Sequence, residues 1–432
     1  MQKLTQLLFI LLLSVCSAYA KQGYSPIKDL HTYSQDIYSY SIELPQVENG
    51  FFKDHSQKFK DQFFLPWNSP RVDLQKDSVV WGLMYKGRKT YGANYRKHDS
   101  RWFDQQVVNA NLAQYNQNSV DAITVKNANM RVFPTHDPIF FDPTKPGEGY
   151  PFDYNQNSGI KINTPIKISH FSKDRQWVFA QSGFASGWIH VDAVATVSPQ
   201  IKNTFMRSSL YIAKKDNFPL YRSGIFRENI KLGTVIPKSH LGNFFVLNRS
   251  DDLSGYIQTV SIDKTDIAKF PLPMDKINVK SAIDQLISEE YGWGELFYKR
   301  DCSAMTRDYF SLFGIYLGRN SYTQTKLGEY IDIQSLTPQE KKEAIMDKAV
   351  PFLSLIYLRG HIMLYLGIEN GEPIVFHNFW GVTTVDSLSK EGRLIVGKAA
   401  ITSLEPGSEL PEYDPQKNIL YRVKGIVNLN GY

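Results

Sequence analysis

Between residues 121 and about 270 the chain runs in short β-branched and aromatic segments separated by turn residues, and the order of those segments repeats. AITV, MRVFPT, PIKISHFS, QWVFAQS and SGWIHVDAV come first; SLYIA, FPLYR, GTVIPKS, NFFVLNRS and SGYIQTV follow. Segments this short, bounded by Gly, Pro, Asn and Asp, are strands, and two passes through one pattern predict a tandem pair of small all-β barrels. The first is placed at 121–198 and the second at 199–272.

The repeat divides the rest of the chain. Residues 21–120 are rich in Tyr, Phe, Asn and Gln and predict a small, mainly helical domain. In FFKDHSQKFKDQFFLPWN, 51–68, Phe52, Phe59, Phe63 and Phe64 recur at helical spacing, and Pro66 is expected to stop the helix. DQQVVNANLAQY, 104–115, predicts a second helix. After the PLPMD linker, residues 273–432 open with a helix, NVKSAIDQLISEEY, followed by YGWG and a helix led by Cys302. Met305, Tyr309, Phe310, Phe313, Tyr316 and Leu317 give that helix one apolar face that is expected to end near Gly318. The charged stretch TPQEKKEAIMDKAV and the strands PFLSLIYL, HIMLYLGI, PIVFHNFWG and RLIVGKAAITSL complete an α+β unit.

Export is expected from the N-terminus. MQKLTQLLFILLLSVCSAYA has one lysine, an apolar core from Leu7 to Leu13 and an Ala-x-Ala site after which residues 1–20 would be removed as a signal peptide. The apolar run is shorter than the roughly 20 residues that cross a bilayer. Cleavage would take Cys16 away and leave Cys302 as a lone thiol in an oxidising, periplasmic or wall-associated location beyond the inner membrane. The net charge of +6 is spread without a dense Lys/Arg run, which favours mild attraction to an anionic matrix and argues against nucleic acid as the main partner. With 42% hydrophobic residues the chain builds packed cores, which excludes a disordered tether.

The chemistry centres on YKRDCSAMTRDYF, 298–310. Cys302 would sit in the first turn of its helix, where unpaired N–H groups favour a thiolate, lower its pKa and can hold an oxyanion. His361, after Arg359-Gly360, opens an apolar strand, and Gly360 is expected to admit close approach of another backbone. His377 ends the next strand, joined to the first around Glu369-Asn370-Gly371. Either His377 or its neighbour Asn378 would orient His361; strand alternation lets only one of them face it. The three residues lack close metal-ligand spacing and no acidic cluster accompanies them, so no metal and no cofactor is expected.

In the order Tyr291-Gly292-Trp293-Gly294, Asp301-Cys302-Ser303, Gly360-His361 and His377, residues 275–425 resemble the NlpC-type cell-wall cysteine peptidases, which are papain-like. PWN at 66–68 with YGANY at 91–95 resembles the N-terminal domain of a multidomain branch of that family, and MRVFPT and SGWIHV resemble its bacterial SH3-like barrels. The resemblance implies hydrolysis of the bond between γ-D-glutamate and diaminopimelate or lysine in peptidoglycan stem peptides. It makes Cys302 the nucleophile, His361 the base and His377 the orienting residue, sets Tyr291 near the thiolate and the oxyanion, and puts Asp301 and Ser303 along the substrate groove. Docked barrels would shape a wall of that groove and restrict it to short peptides with a free N-terminus. Two positions depart from the pattern: Ala304 stands where glycine is usual, and Arg300 where a smaller residue is common. A wall-binding protein without activity, and an amidase or acyltransferase built on the same nucleophile, are the competing expectations.

Overall fold

The computed structural model describes residues 26–222 and 224–431. The expected signal peptide and Cys16 lie outside the described residues.

The first long helix spans Phe51–Asn68, so Pro66 falls inside its last turn and does not stop it. Proline there removes only one N–H donor, and the helix is held by what it buries: Phe59, Phe64 and Trp67, with the Trp67 indole N–H donating to Ala122 O at 2.7 Å. The Gln62 carbonyl, which Pro66 cannot engage, faces Gly183, where a Cβ would collide with it. The second helix is Ser100–Asn109, four residues earlier than its expected start. Asp99 caps it by accepting the Trp102 N–H at 3.0 Å, and Asn111, in the left-handed region at φ 49°, breaks it before Leu112.

Both barrels are present and share one topology. The first comprises β1 (Val120–Thr124), β2 (Ala128–Arg131), β3 (Gln156–Ile160), β4 (Pro165–Phe171), β5 (Trp177–Gln181), β6 (Ser186–His190) and β7 (Val194–Thr196). The second, after a helix at Pro199–Arg207, comprises β8 (Ser209–Ala213), β9 (Phe218–Arg222), β10 (Ile225–Ile230), β11 (Val235–Lys238), β12 (Phe244–Arg249), β13 (Gly255–Val260) and β14 (Ile267–Lys269). The order β6-β5-β4-β1-β7 in one copy is matched by β13-β12-β11-β8-β14 in the other. They differ in the inserted hairpin: β2–β3 joins its sheet where Arg131 pairs with Trp188, whereas β9–β10 stands as a separate ribbon. Strands β3 and β10 and the linking helix were not expected; QNSGI and IFRENI carry too much polar and glycine content to read as strands.

The C-terminal unit begins with the helix Lys276–Leu286, capped by Asp275. The Cys302 helix ends at Leu312, short of Gly318, because Gly314 turns the chain at φ 78°. A Cβ on Gly314 would come within 2.9 Å of the Ser56 Cβ, so glycine also lets this turn abut the Phe51–Asn68 helix. Against the helix lies one sheet built from β15 (Glu329–Asp332), β16 (Ser354–Leu358), β17 (His361–Glu369), β18 (Glu372–Val385), β19 (Glu391–Thr402) and β20 (Val423–Asn428), ordered β15-β20-β16-β17-β18-β19. Asn370 and Gly371, both at positive φ, make the tight β17–β18 turn. Gly360 serves the same purpose between β16 and β17: its φ is 86° and a Cβ there would meet nothing within 4 Å, so the expected backbone approach does not occur.

The barrels meet the C-terminal unit through buried ion pairs. Lys161 of the first barrel reaches Asp308 at 2.7 Å. Asp216 of the second barrel binds Arg300 at 2.8 Å and Lys231 at 2.7 Å, and Arg300 also holds Glu289 at 2.9 Å and Asp308 at 2.7 Å. Replacing Arg300 as Arg300→Leu takes one cation from each of three carboxylates, Asp216, Glu289 and Asp308, and we expect a loss of about 3–5 kcal/mol in urea unfolding at neutral pH. Unfolding unchanged from the parent protein would show that the network does not hold the domains. Asp308 is held well below its ordinary 3.8 by Lys161, Arg307 and Arg300 against the effect of burial. Its contribution is therefore present above about pH 4 and is lost as pH falls below that value.

Candidate active site

Cys302 opens its helix, and Asp301 caps it by accepting the Ala304 N–H at 2.8 Å. The thiol is free and buried. The backbone N–H groups of Ile362 and Ser303 point at its sulfur, which places the thiol beside the first residues of β17. Burial, and next the Asp301 carboxylate, push the thiol up to about 12, against the opposing Ile362 N–H and Arg319. The depression expected from the helix terminus is thus outweighed by desolvation and a neighbouring negative charge.

His361, at the start of β17, lies with Nε2 2.8 Å from His377 Nδ1 on β18. Desolvation, and next the Arg422 guanidinium, push its pKa down to about 4, with Asp301 acting in the opposite sense. His377 is fully buried and is held well below its ordinary value by burial and by His361. Phe379 stacks on the His377 ring, centroids 4.2 Å apart and planes 5° from parallel. His377 and Phe379 therefore share a face, while Asn378 points away and donates to Arg300 O at 2.9 Å. Of the two candidate orienting groups, the geometry brings His377 to His361.

Thr402, the last residue of β19, extends the chain of contacts and was not foreseen. Its Oγ1 lies 2.9 Å from His377 Nε2, and its hydroxyl donates to Ser403 O at 2.7 Å. A threonine has one hydroxyl proton; with that proton committed to Ser403, Oγ1 must accept from His377 Nε2–H. Nδ1 of His377 then has no proton and accepts from His361 Nε2–H. Nδ1 of His361 is left bare, able to take a proton. Nothing in the local sequence marks Thr402, whose role arises only from the pairing of β18 with β19.

Tyr291 sits beside the sulfur, its ring packed near Trp380 and Phe152. Burial holds its pKa well above the ordinary value, so it is a hydroxyl donor. A groove in front of Cys302 is walled by Trp81 and Tyr85 from the N-terminal domain, by Tyr154, Gln156 and Asn157 from the first barrel, and by Trp293. Asp301 and Ser303 line it as expected, but both are engaged: Ser303 Oγ donates to Asp301 at 3.0 Å and Arg319 binds Asp301 at 2.8 Å. Arg300 does not reach the groove, because its guanidinium turns into the ion network.

Two outcomes follow from these environments. Alkylation of Cys302 in the free protein should rise with pH to a midpoint above the free-thiol value of about 8.5, since a raised pKa leaves little thiolate at neutrality. A midpoint below that value would mean that a thiolate–imidazolium pair prevails. Thr402→Val should lower kcat by about 10- to 100-fold by freeing the His377 tautomer, and Thr402→Ser should restore it. Equal rates for the Val and Ser variants would remove the hydroxyl from this role.

Comparison with known proteins agrees with this geometry. Residues 5–115 match the N-terminal NLPC_P60 stabilising domain, residues 138–190 match the SH3 domain of the SH3b1 type, and residues 288–392 match the NlpC/P60 family. A solved NlpC/P60 endopeptidase from Photobacterium damselae subsp. piscicida is 25% identical, with a TM-score of 0.83 over 92% of this chain and 98% of that one. An NlpC/P60 family protein from Bacillus cereus ATCC 10987 is 14% identical, with a TM-score of 0.43 over 72% of this chain and 99% of that one. No curated protein matches the chain. These matches give the chain an N-terminal NLPC_P60 stabilising domain, an SH3 domain of the SH3b1 type and an NlpC/P60 domain, in that order along the sequence.

Proposed function

We propose that the protein is a peptidoglycan hydrolase, a cysteine endopeptidase that cuts stem peptides between γ-D-glutamate and the following diamino acid, diaminopimelate or lysine. The observation that supports this is the run of contacts His361–His377–Thr402, beside a Cys302 sulfur at which the neighbouring Ile362 N–H points, in a stretch that matches the NlpC/P60 family. The similar Photobacterium protein is an endopeptidase, which supports the reaction class.

In this mechanism the Cys302 proton passes to His361 Nδ1 as the sulfur attacks the γ-glutamyl carbonyl carbon. The oxyanion accepts hydrogen bonds from backbone N–H at the helix start and from the Tyr291 hydroxyl. Collapse breaks the C–N bond; His361 gives its proton to the leaving α-amine of the diamino acid, and an acyl-enzyme remains. Water, deprotonated by His361, attacks the thioester and releases the γ-D-glutamyl carboxylate and the thiol. The His361 Nε2–H contact with His377 Nδ1 is kept throughout, so the orienting chain need not move. The apolar N-terminal segment is consistent with export to the compartment where the wall lies.

Digestion of purified muropeptides, with products weighed by mass spectrometry, tests the proposal. The expected result is one new pair of products from cleavage after γ-D-glutamate, and none with Cys302→Ser, whose hydroxyl is a much weaker nucleophile. Cleavage at the amide that joins peptide to glycan would make the protein an amidase, and activity retained by Cys302→Ser would take Cys302 out of the reaction.

A further inference from the structure

Thr402 ends β19, the edge strand of its sheet, so the N–H and C=O groups along the outer side of β19 have no neighbouring strand to pair with. Further back they are met by the loop that carries Tyr291. Tyr291 N–H donates to Gly397 O at 2.8 Å, Ser288 N–H to Ala399 O at 2.9 Å, and Ala399 N–H to Glu289 O at 2.8 Å. Alternation along the strand then leaves Ile401 and Ser403, the residues either side of Thr402, for the next partner. That partner comes from the other end of the chain.

Gln35 pairs with Ile401 as a strand residue would. Its Oε1 accepts from Ile401 N–H at 2.9 Å and its Nε2 donates to Ile401 O at 2.9 Å, while Nε2 also donates to Tyr33 O at 3.0 Å. Asp29, at the head of the short helix Asp29–Thr32, takes Ser403. One carboxylate oxygen, Oδ2, accepts from the Ser403 N–H at 2.8 Å and from the Ser403 hydroxyl at 2.7 Å, and Asp29 is buried. These bonds fix the residue whose carbonyl receives the Thr402 hydroxyl proton at 2.7 Å.

The same segment backs the ring that Thr402 orients. Ile27 and Leu30 are buried in one apolar cluster with Phe379, Val382 and Ala400. Phe379 is the ring stacked on His377, and Ala400 is the cross-strand partner of His377. Residues 27–35 thus bear on Phe379, Ala400, Ile401 and Ser403, which flank the His377–Thr402 contact.

We infer that Asp29 and Gln35 are positioning residues for the reaction: they hold Ser403 and Ile401, and so keep the Thr402 hydroxyl where it sets the His377 ring. The N-terminal segment is then part of the active site as well as a cover for the sheet edge. This deepens the endopeptidase reading and rests on it. Loss of either side chain returns buried backbone groups at the end of β19 to water, and the strand end frays while the domain stays folded.

The test measures kcat and KM on L-alanyl-γ-D-glutamyl-diaminopimelate in two backgrounds, the parent protein and Thr402→Val. Asp29→Ala and Gln35→Ala should each lower kcat about tenfold in the parent with KM changed by less than about twofold. In Thr402→Val, where the hydroxyl they position is already gone, each should cost less than about threefold. Asp29→Asn, whose carboxamide oxygen still accepts from Ser403, should recover most of the rate. Heteronuclear NMR gives a readout apart from activity: the His377 Nε2–H should exchange with solvent faster in both alanine variants than in the parent. Equal losses in the two backgrounds, a change confined to KM, or an Asp29→Asn as slow as Asp29→Ala overturns the inference and leaves the endopeptidase intact. Gln35→Ala carries the comparison if Asp29→Ala does not fold. A parent protein that cleaves no stem peptide overturns the endopeptidase reading, and exchange at His377 then decides: unchanged exchange in Gln35→Ala overturns the positioning role, and faster exchange upholds it.

Discussion

Arg300, Arg307 and Asp308 stand close together in sequence around the start of the Cys302 helix, and all three are buried. Each buried ion costs several kcal/mol in lost hydration, so the arrangement survives only if every charge finds a partner of good geometry. The partners come from elsewhere: Lys161 from the first barrel, Asp216 and Lys231 from the second, Glu289 and Glu295 from the loop before the helix. With Asp301 and Arg319 included, the cations and anions of this network are equal in number. Pairing of this kind adds little net stability compared with an apolar interface, but it penalises any docking that leaves one member unpaired. The barrels are thereby tied to one position relative to the nucleophile helix.

That position builds the groove. Ser158 and Gln156 on β3 bond to Arg319 and to the Gly294 carbonyl, so the first barrel holds the loop that carries Tyr291 and Trp293. Asn378, on the face of β18 opposite His377, holds the Arg300 carbonyl just before the nucleophile. A departure from the family pattern at Arg300 is therefore explained behind the site: its guanidinium anchors the second barrel, and the substrate side of the helix start is left to Asp301, Cys302 and Ser303. The pairing of Asp301 with Arg319 belongs to the same network and fixes both side chains where they line the groove.

What could be read in the sequence divides along the same line between local and distant causes. The repeat that announced two barrels is a local pattern of strand and turn, and the shared strand order shows why it was visible. The places of Cys302, His361 and His377 on their elements were legible because helix start, hairpin turn and strand parity are each encoded within a few residues. The helix end was misjudged because Tyr316 and Leu317 remain apolar and enter the core after Gly314 has already turned the chain; Tyr316 even reaches the Gly183 carbonyl at 2.8 Å. Strands β15 and β20 escaped notice because they pair with each other and with β16 across long separations in the chain. Thr402 and Arg319 had no signal at all, since their roles exist only once β19 and the loop after the Cys302 helix are in place.

The ionisation states and the hydrogen-bond chain together give one resting state. Burial raises the Cys302 thiol and lowers the His361 imidazole, and both shifts disfavour a thiolate–imidazolium pair. Were the pair ionic, both ring nitrogens of His361 would carry protons and its tautomer would be of no consequence. In the neutral pair the tautomer decides whether His361 Nδ1 can accept a proton. The Thr402 hydroxyl, committed to the Ser403 carbonyl, fixes His377, and His377 in turn fixes His361 in the accepting form. In the proposed reaction the Thr402 hydroxyl therefore matters because burial keeps both the Cys302 thiol and the His361 imidazole uncharged at rest.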